Sequence, residues 1–460
     1  MKSMLRLAIG LILLLGTFSS AAEAAGTIRI QWDPNSESDL ASYRVSYGTS
    51  AGVYATSLTV PANTTTWDLT GLTEGERYFI VVQAVNTAGL SSGPSNEVNG
   101  VVPYSASTSS STDAARVVLG IERFTNSGGW LAVKAGTALG VETRGWTRVN
   151  WGSYNGLNGE THPATGDVDG DGLDEVVVGF GRGGQGYLVV LDDDQHGYAE
   201  LAWIQVDWAA YNNANGATYP AVGDLNGDGR AEIVAGLGTG GGGWFQVFGS
   251  ANTGYERSRW GRVDWMAYNL ANGETHPAIG DVDGDGRGEI IVGLGTGGAG
   301  WVQISKLAAN NQSVVATPAK WLRVNWGGYN NSNGSTWPAA GDLNGNGRDE
   351  VVVGLGQYSA GWLEILGDSA ANYASLRWVQ TPWASFNSGR GETHPAVGNI
   401  DGDARAEIVV GLGAWPGSGG RLFMLDDASA GYGSLGTRTI GWTPYESFGG
   451  GLFVAVGKLR

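Results

Sequence analysis

Short runs with an apolar residue at every second position recur along most of this chain. From Gly26 to about Val102, "TIRIQWDP", "SYRVSYG" and "RYFIVVQAVN" alternate in this way, as strands with one buried face require. Residues 26–102 therefore read as a small β-sandwich. Residues 103–114, including "PYSASTSSSTD" from Pro103 to Asp113, show no apolar periodicity and read as a flexible Ser/Thr-rich linker. Ahead of the sandwich, Lys2 and Arg6 flank an apolar run from Leu7 to Leu15, and Ala22-Glu23-Ala24 offers a small-x-small cleavage site. Residues 1–25 read as an export signal, which places the mature chain outside the cytoplasm, secreted or periplasmic. That run is too short to span a bilayer, and no later stretch approaches ~20 apolar residues, so no membrane insertion is expected.

From residue 115 to 460 the pattern repeats itself. Aligning the block that begins "WTRVNWGSYNGLNGETHPATGDVDGDGLDEVVVGFG" brings Trp146, Trp203, Trp260, Trp321 and Trp378 into register, at spacings of 57, 57, 61 and 57 residues. Each unit holds four segments of strand character, in the first unit Thr161–Val168, Glu175–Phe180, Gly186–Leu191 and Trp203–Trp208, joined by Gly, Asp and Asn. Four short strands per repeat describe a propeller blade, and no 3.6-residue periodicity points to a helical solenoid.

The ends of the array are out of frame with each other. Residues 116–134, "RVVLGIERFTNSGGWLAVK", match the second and third strands of a unit without a first, while residues 451–458, "GLFVAVGK", match a first strand with nothing after it. The last strand is expected to complete the first sheet and close the ring, which removes exposed edges. The turns entering each first strand read GETHP, GATYP, GETHP, GSTWP and GETHP, so His162, His276 and His394 alternate with Tyr219 and Trp337. Alternation closes evenly on six blades, with seven as the alternative. The fold class is all-β.

Composition narrows the function. The 460 residues carry 44 Asp plus Glu against 27 Lys plus Arg, a net charge of −17; without Lys2, Arg6 and Glu23 it becomes −18. With no basic run, a nucleic-acid backbone is not an expected partner. The 78 glycines follow no Gly-X-Y period, and 42% of residues are hydrophobic, which excludes collagen and disorder. With no cysteine, stability has to come from packing, strand pairing and metal.

The chemistry lies in an acidic nine-residue loop between the first and second strands of each complete unit. The first, "DVDGDGLDE", presents Asp167, Asp169 and Asp171 at positions one, three and five, the Leu173 carbonyl at seven and Glu175 at nine. Alternate residues on a tight turn can aim their oxygens at one centre, and calcium takes 6–8 oxygens at about 2.3–2.6 Å in a tolerant geometry. The corresponding sets are Asp224, Asn226, Asp228, Arg230 and Glu232; Asp281, Asp283, Asp285, Arg287 and Glu289; Asp342, Asn344, Asn346, Arg348 and Glu350; and Asn399, Asp401, Asp403, Arg405 and Glu407. The arginines, like Leu173, are there for their carbonyls. Up to five Ca²⁺ are expected. Ranked by loop charge, loops one and three should bind most tightly and loop four most weakly. Such carboxylates without a cation would repel one another or shift their pKa values upward.

Two resemblances follow. Trp32, Tyr43, "LTEGERY" from Leu72 to Tyr78 and "SNEV" from Ser95 to Val98 make the sandwich resemble a fibronectin type III domain, with Leu72 and Tyr78 where such domains place a tyrosine corner. The five stretches "GDVDGDGLDEVVVG", "GDLNGDGRAEIVAG", "GDVDGDGRGEIIVG", "GDLNGNGRDEVVVG" and "GNIDGDARAEIVVG" make the array resemble FG-GAP or VCBS repeats, the calcium-binding blades also seen in integrin α-chains. The resemblance implies calcium at the positions named. This chain departs from that pattern in ending its loop with glutamate, and Lys458 and Arg460 stand where a sixth loop's acids would fall, so no sixth site is expected.

Most of the 19 tryptophans recur at fixed repeat positions such as Trp146/Trp151 and Trp244/Trp301/Trp362. They either pack blades together or, with the Tyr-Asn turns at Tyr154/Asn155, Tyr211/Asn212, Tyr268/Asn269 and Tyr329/Asn330, line sugar-binding pockets. The three histidines are expected to hydrogen-bond locally, too far apart to share a metal. No nucleophile elbow, phosphate loop or H-E-x-x-H occurs. A non-enzymatic role in adhesion or recognition, with a glycan or extracellular protein as partner, is the expectation. A calcium-stabilised polysaccharide lyase is the alternative.

Overall fold

A computed structural model describes residues 11–13, 28–35, 37–72, 77–101, 115–124, 128–137, 140–257, 259–308, 320–416 and 419–460. The expected linker, most of the expected leader and residues 73–76 lie outside them. The chain forms two compact units, Met1–Ser110 and Ser111–Arg460.

In the first unit, Thr56–Pro61, Leu40–Gly48, Arg77–Asn86 and Val98–Val101 form one sheet, and Ile28–Trp32 with Thr66–Leu69 the other. Alternation buries Ile28, Ile30 and Trp32 against Tyr43, Val45 and Ile80. Trp32 meets Tyr43 edge-on at 5.3 Å, and the Tyr43 hydroxyl accepts from the Asn35 amide at 2.8 Å. Leu72 and Tyr78 both pack on this core. Leu11–Leu13, read from sequence as part of the leader, pairs antiparallel with Ile30–Trp32.

The second unit is a ring of six four-stranded antiparallel sheets. Blade one comprises Thr161–Gly166, Glu175–Phe180, Tyr187–Leu191 and Glu200–Gln205, and blades two to five repeat it. In blade six, Leu452–Gly457 pairs with Arg116–Ile121, Leu452 opposite Ile121 and Gly457 opposite Arg116. The C-terminal strand thus closes the ring as the frame mismatch requires, and the seven-bladed alternative falls.

Second strands such as "EVVVGF" are buried at every position. Each is covered on both faces by neighbouring blades, so apolar residues run continuously instead of alternating. Their shared glycine is where the next blade comes closest: a Cβ on Gly236 would lie 2.3 Å from the Thr275 carbonyl. Where the sequence suggested only a turn, a short helix follows each fourth strand, as at Ala209–Ala214 and Met266–Ala271. In four of these helices a Tyr-Asn pair is buried. Tyr211 donates to the Ala217 carbonyl and accepts from the Gly238 amide, each at 2.6 Å. Asn212 Nδ2 donates to the Val206 carbonyl at 2.7 Å. These pairs pin blades together and line no sugar pocket, because both side chains of each pair are buried.

Candidate metal centres, axial ring and aromatic pockets

Each acidic loop is shaped by its first and last residues. Asp224 Oδ1 and Oδ2 accept the amides of Gly227 and Gly229 at 2.6 and 2.8 Å; Asp281 and Asp342 hold their loops in the same way. The closing glutamate reaches back with Oε2 to the amide at position two, from Glu175 to Val168 at 2.8 Å and from Glu407 to Ile400 at 2.6 Å. The other oxygen, Oε1, points into the loop, and what it meets differs from blade to blade.

In loops one and five, Oε1 of Glu175 and Glu407 is buried without a hydrogen-bond partner. Around it the structure gathers Asp167, Asp169 and Glu175, then Asp171, Glu175 and Asp193, and in blade five Asp401, Glu407 and Asp426, with ligand atoms within 4.8 Å of one another. These orphaned oxygens in an all-oxygen donor set fit calcium. In loops two and four Oε1 accepts an amide proton, Glu232 from Asn226 at 2.6 Å and Glu350 from Asn344. In loop three the Lys306 ammonium meets Glu289 Oε1 at 2.9 Å, Asp285 at 3.2 Å and Asp283. The ranking by loop charge counted residues within the loop and left out Lys306, which enters loop three from the end of the third strand. Acids from that same exit, Asp193, Asp368 and Asp427, are buried beside loops one, four and five, and the loop motif did not include them.

The loops are chained around the ring. The amide after position seven donates to the first carbonyl of the preceding loop, Ala231 to Asp167, Gly288 to Asp224, Asp349 to Asp281 and Ala406 to Asp342, at 2.7–3.0 Å. Ala115 to Asn399 and Asp174 to Lys458 complete the belt at 2.9 and 2.7 Å. The side chains of Arg230, Arg287, Arg348 and Arg405 reach backward too, onto the carbonyls of Asp169, Leu225, Asp283 and Asn344.

Carboxyl groups crowded in this way resist ionisation. Burial, reinforced by Asp169, pushes Glu175 up to about 10, and burial lifts Glu407 to about 8 and Asp171 to about 7. A divalent ion bound there would supply the charge that favours the ionised forms.

The fibronectin type III domain family matches residues 17–101, beginning inside the expected leader. The FG-GAP-like repeat family matches residues 167–235, the stretch from loop one through loop two. The chain joins a fibronectin type III domain to FG-GAP-like repeats. No curated protein matches it. Among solved structures, rhamnogalacturonan lyase YesW aligns at 15% identity and a TM-score of 0.34, covering 88% of this chain and 66% of that one. The exotype rhamnogalacturonan lyase YesX aligns at 14% and 0.32, over 90% and 71%. Likeness at that level carries no argument about activity or substrate.

The FG-GAP-like propeller is closed at its axis by six rings. His162, His276 and His394 stack on Tyr219, Trp337 and Phe453 at 4.4, 3.4 and 4.5 Å. The pairs join edge-on at 4.3–5.0 Å. Each histidine Nδ1 lies 2.7–2.9 Å from a carbonyl of the next blade, those of Thr218, Thr336 and Leu452; a carbonyl only accepts, so Nδ1 carries a proton. Nε2 faces Glu160, Glu274 or Glu392 at 2.8, 3.3 and 3.4 Å. The histidines thus bond locally, an aromatic ring between each pair.

Beside this ring lies a cavity of about 270 Å³ lined by Glu122, Glu160, Glu274, Glu392, Arg123 and Arg390 among others. Burial, with the charges of Glu392 and Glu160, pushes Glu122 up to about 8 against the pull of His394. Its neutral form favours the fold, so its contribution is full below pH ~4.5 and is lost as pH rises through about 8. Glu122→Gln keeps the acceptor for the Ala414 amide and should raise the melting temperature near pH 9 by several degrees while leaving it unchanged near pH 4. A scan of melting temperature against pH reads this directly; equal shifts at both ends would contradict it.

Between blades the FG-GAP-like propeller repeats an aromatic pocket. Trp208, Trp244 and Trp260 with Asp207 line one of about 310 Å³; Trp326, Trp362 and Trp378 with Asn325 line another of about 230 Å³. In both, one ring precedes the helix, one opens the third strand and one lies on the fourth strand. All six rings are part-exposed, so they pack the blades and present a surface together.

Proposed function

We propose that the protein is an exported, calcium-stabilised propeller that recognises glycans at its tryptophan pockets, in adhesion or surface recognition. The observation that carries this reading is the recurrence of the same three-tryptophan pocket with a polar residue at its rim. Indole faces suit the apolar faces of sugar rings, and a few polar groups at the edge of an apolar pocket fix orientation. Repetition around a ring supports multivalent binding, in which weak sites combine into useful avidity. The leader-like start supports action outside the cytoplasm.

The test is a glycan array probed with the full chain, followed by Trp260→Ala and Trp378→Ala. Each substitution should weaken binding of a hit glycan about tenfold or more while the far-ultraviolet spectrum stays unchanged. Binding indifferent to both would remove the pockets from the reading.

A lyase-like reading draws support from the axial cavity, where Arg123 and Arg390 would neutralise uronate carboxylates and Glu122, kept neutral by burial, would donate a proton to the leaving-group oxygen. Incubation with acidic polysaccharides, followed by the ultraviolet absorbance of unsaturated products, separates the two readings.

A further inference from the structure

Blade three departs from blades one, four and five at two adjacent positions. Where the third strand ends, blade one continues Asp192-Asp193, blade four Gly367-Asp368 and blade five Asp426-Asp427, whereas blade three continues Lys306-Leu307. The register fixes this alignment, since Leu191, Ser305, Leu366 and Leu425 stand opposite Val176, Ile290, Val351 and Ile408. The second position supplies a buried carboxylate in blades one, four and five. In blade three it is Leu307, buried in the apolar core between blades. One acid is gone from the loop and one base has arrived.

We propose that the Lys306 ammonium is the resident cation of loop three, so that blade three is locked without metal while the other loops depend on calcium. Nζ meets Asp283, Asp285 and Glu289, the residues at positions three, five and nine. Those are the side chains that calcium would draw together, and Glu289 Oε1, whose counterparts in blades one and five are orphaned, is here satisfied. A calcium ion at that centre would have to displace the ammonium against three carboxylates, with a leucine where blades one, four and five offer a fourth. The ammonium fills the site whatever the calcium concentration outside, so one sixth of the ring stays closed when the metal is withdrawn.

The inference rests on the calcium reading of the other loops, and ion counting separates the two. Calcium bound per chain, measured by equilibrium dialysis and elemental analysis, should fall by one in Asp169→Asn and stay unchanged in Asp283→Asn. The double variant Lys306→Gly/Leu307→Asp, which installs the sequence of blade four, should bind one ion more than the parent. Loss of an ion in Asp283→Asn overturns the proposal. So does an unchanged count in the double variant when its circular dichroism is native. A parent that binds no calcium would remove the wider reading; the lysine is then judged by Lys306→Met, which should melt lower than the parent in EGTA. Equal melting there would overturn the proposal on its own.

Discussion

Chelation with EGTA is expected to lower the melting temperature of the propeller by about 10 °C or more relative to millimolar calcium. A ligand that binds only the folded state at a hundredfold excess over its Kd contributes about 2.7 kcal/mol per site, and a kcal/mol moves the midpoint of a domain of roughly 150–250 residues by about 2–4 °C, less for a larger one. Several occupied loops therefore suffice. The metal-free state also carries its own penalty, because Glu175 and Glu407 retain a buried oxygen without a partner, and such a group costs about 1–3 kcal/mol. The unfolding should remain one transition: every loop donates an amide to its neighbour, so loosening one loop withdraws a partner from the next. Differential scanning calorimetry in EGTA and in calcium is the measurement, and identical curves would show that the acidic loops are turns and nothing more.

The sequence made the wheel legible because its repeats carry period-two strands and fixed turns, and because the chain's ends are out of frame by one strand. The Gly451–Lys458 match, read against Arg116–Lys134, locates the closing strand without any structure. The acidic loops were legible for a similar reason: their carboxyl and amide residues lie within nine positions of one another. Lys306 was not, since it lies 17 residues beyond Glu289 and reaches the loop only through the pairing of Glu289–Leu294 with Trp301–Ser305. The same separation hid Asp193, Asp368 and Asp427. The Tyr-Asn pairs misled because an amide beside an aromatic suits a sugar as well as it suits a backbone carbonyl, and only burial separates the two. The alternation of His162, Tyr219, His276 and Trp337 pointed to six blades, but that these side chains meet at the axis follows from the ring's geometry and from no local spacing.

Truncation after Gly451 is expected to abolish the cooperative fold of the propeller while leaving the fibronectin type III domain folded. The segment removed, residues 452–460, provides the innermost strand of blade six, opposite Arg116–Ile121. It also buries Leu452, Ala455 and Leu459 and supplies Phe453 to the axial ring. With it go the carbonyl of Leu452 that holds His394, that of Val456 that holds Thr165, and that of Lys458 that receives the Asp174 amide and closes the loop belt. Truncating a single buried leucine to alanine costs about 2–5 kcal/mol, and a domain's whole margin is about 5–15 kcal/mol, so the loss of two leucines and a strand exceeds what the ring can absorb. The exposed edge of Arg116–Ile121 would then pair with other chains. Near-ultraviolet circular dichroism, dominated here by the ordered tryptophans, should collapse, and adding a peptide of residues 451–460 should restore part of it. A truncated chain that melts cooperatively at the parent's temperature would mean that the other five blades hold the ring closed without their sixth.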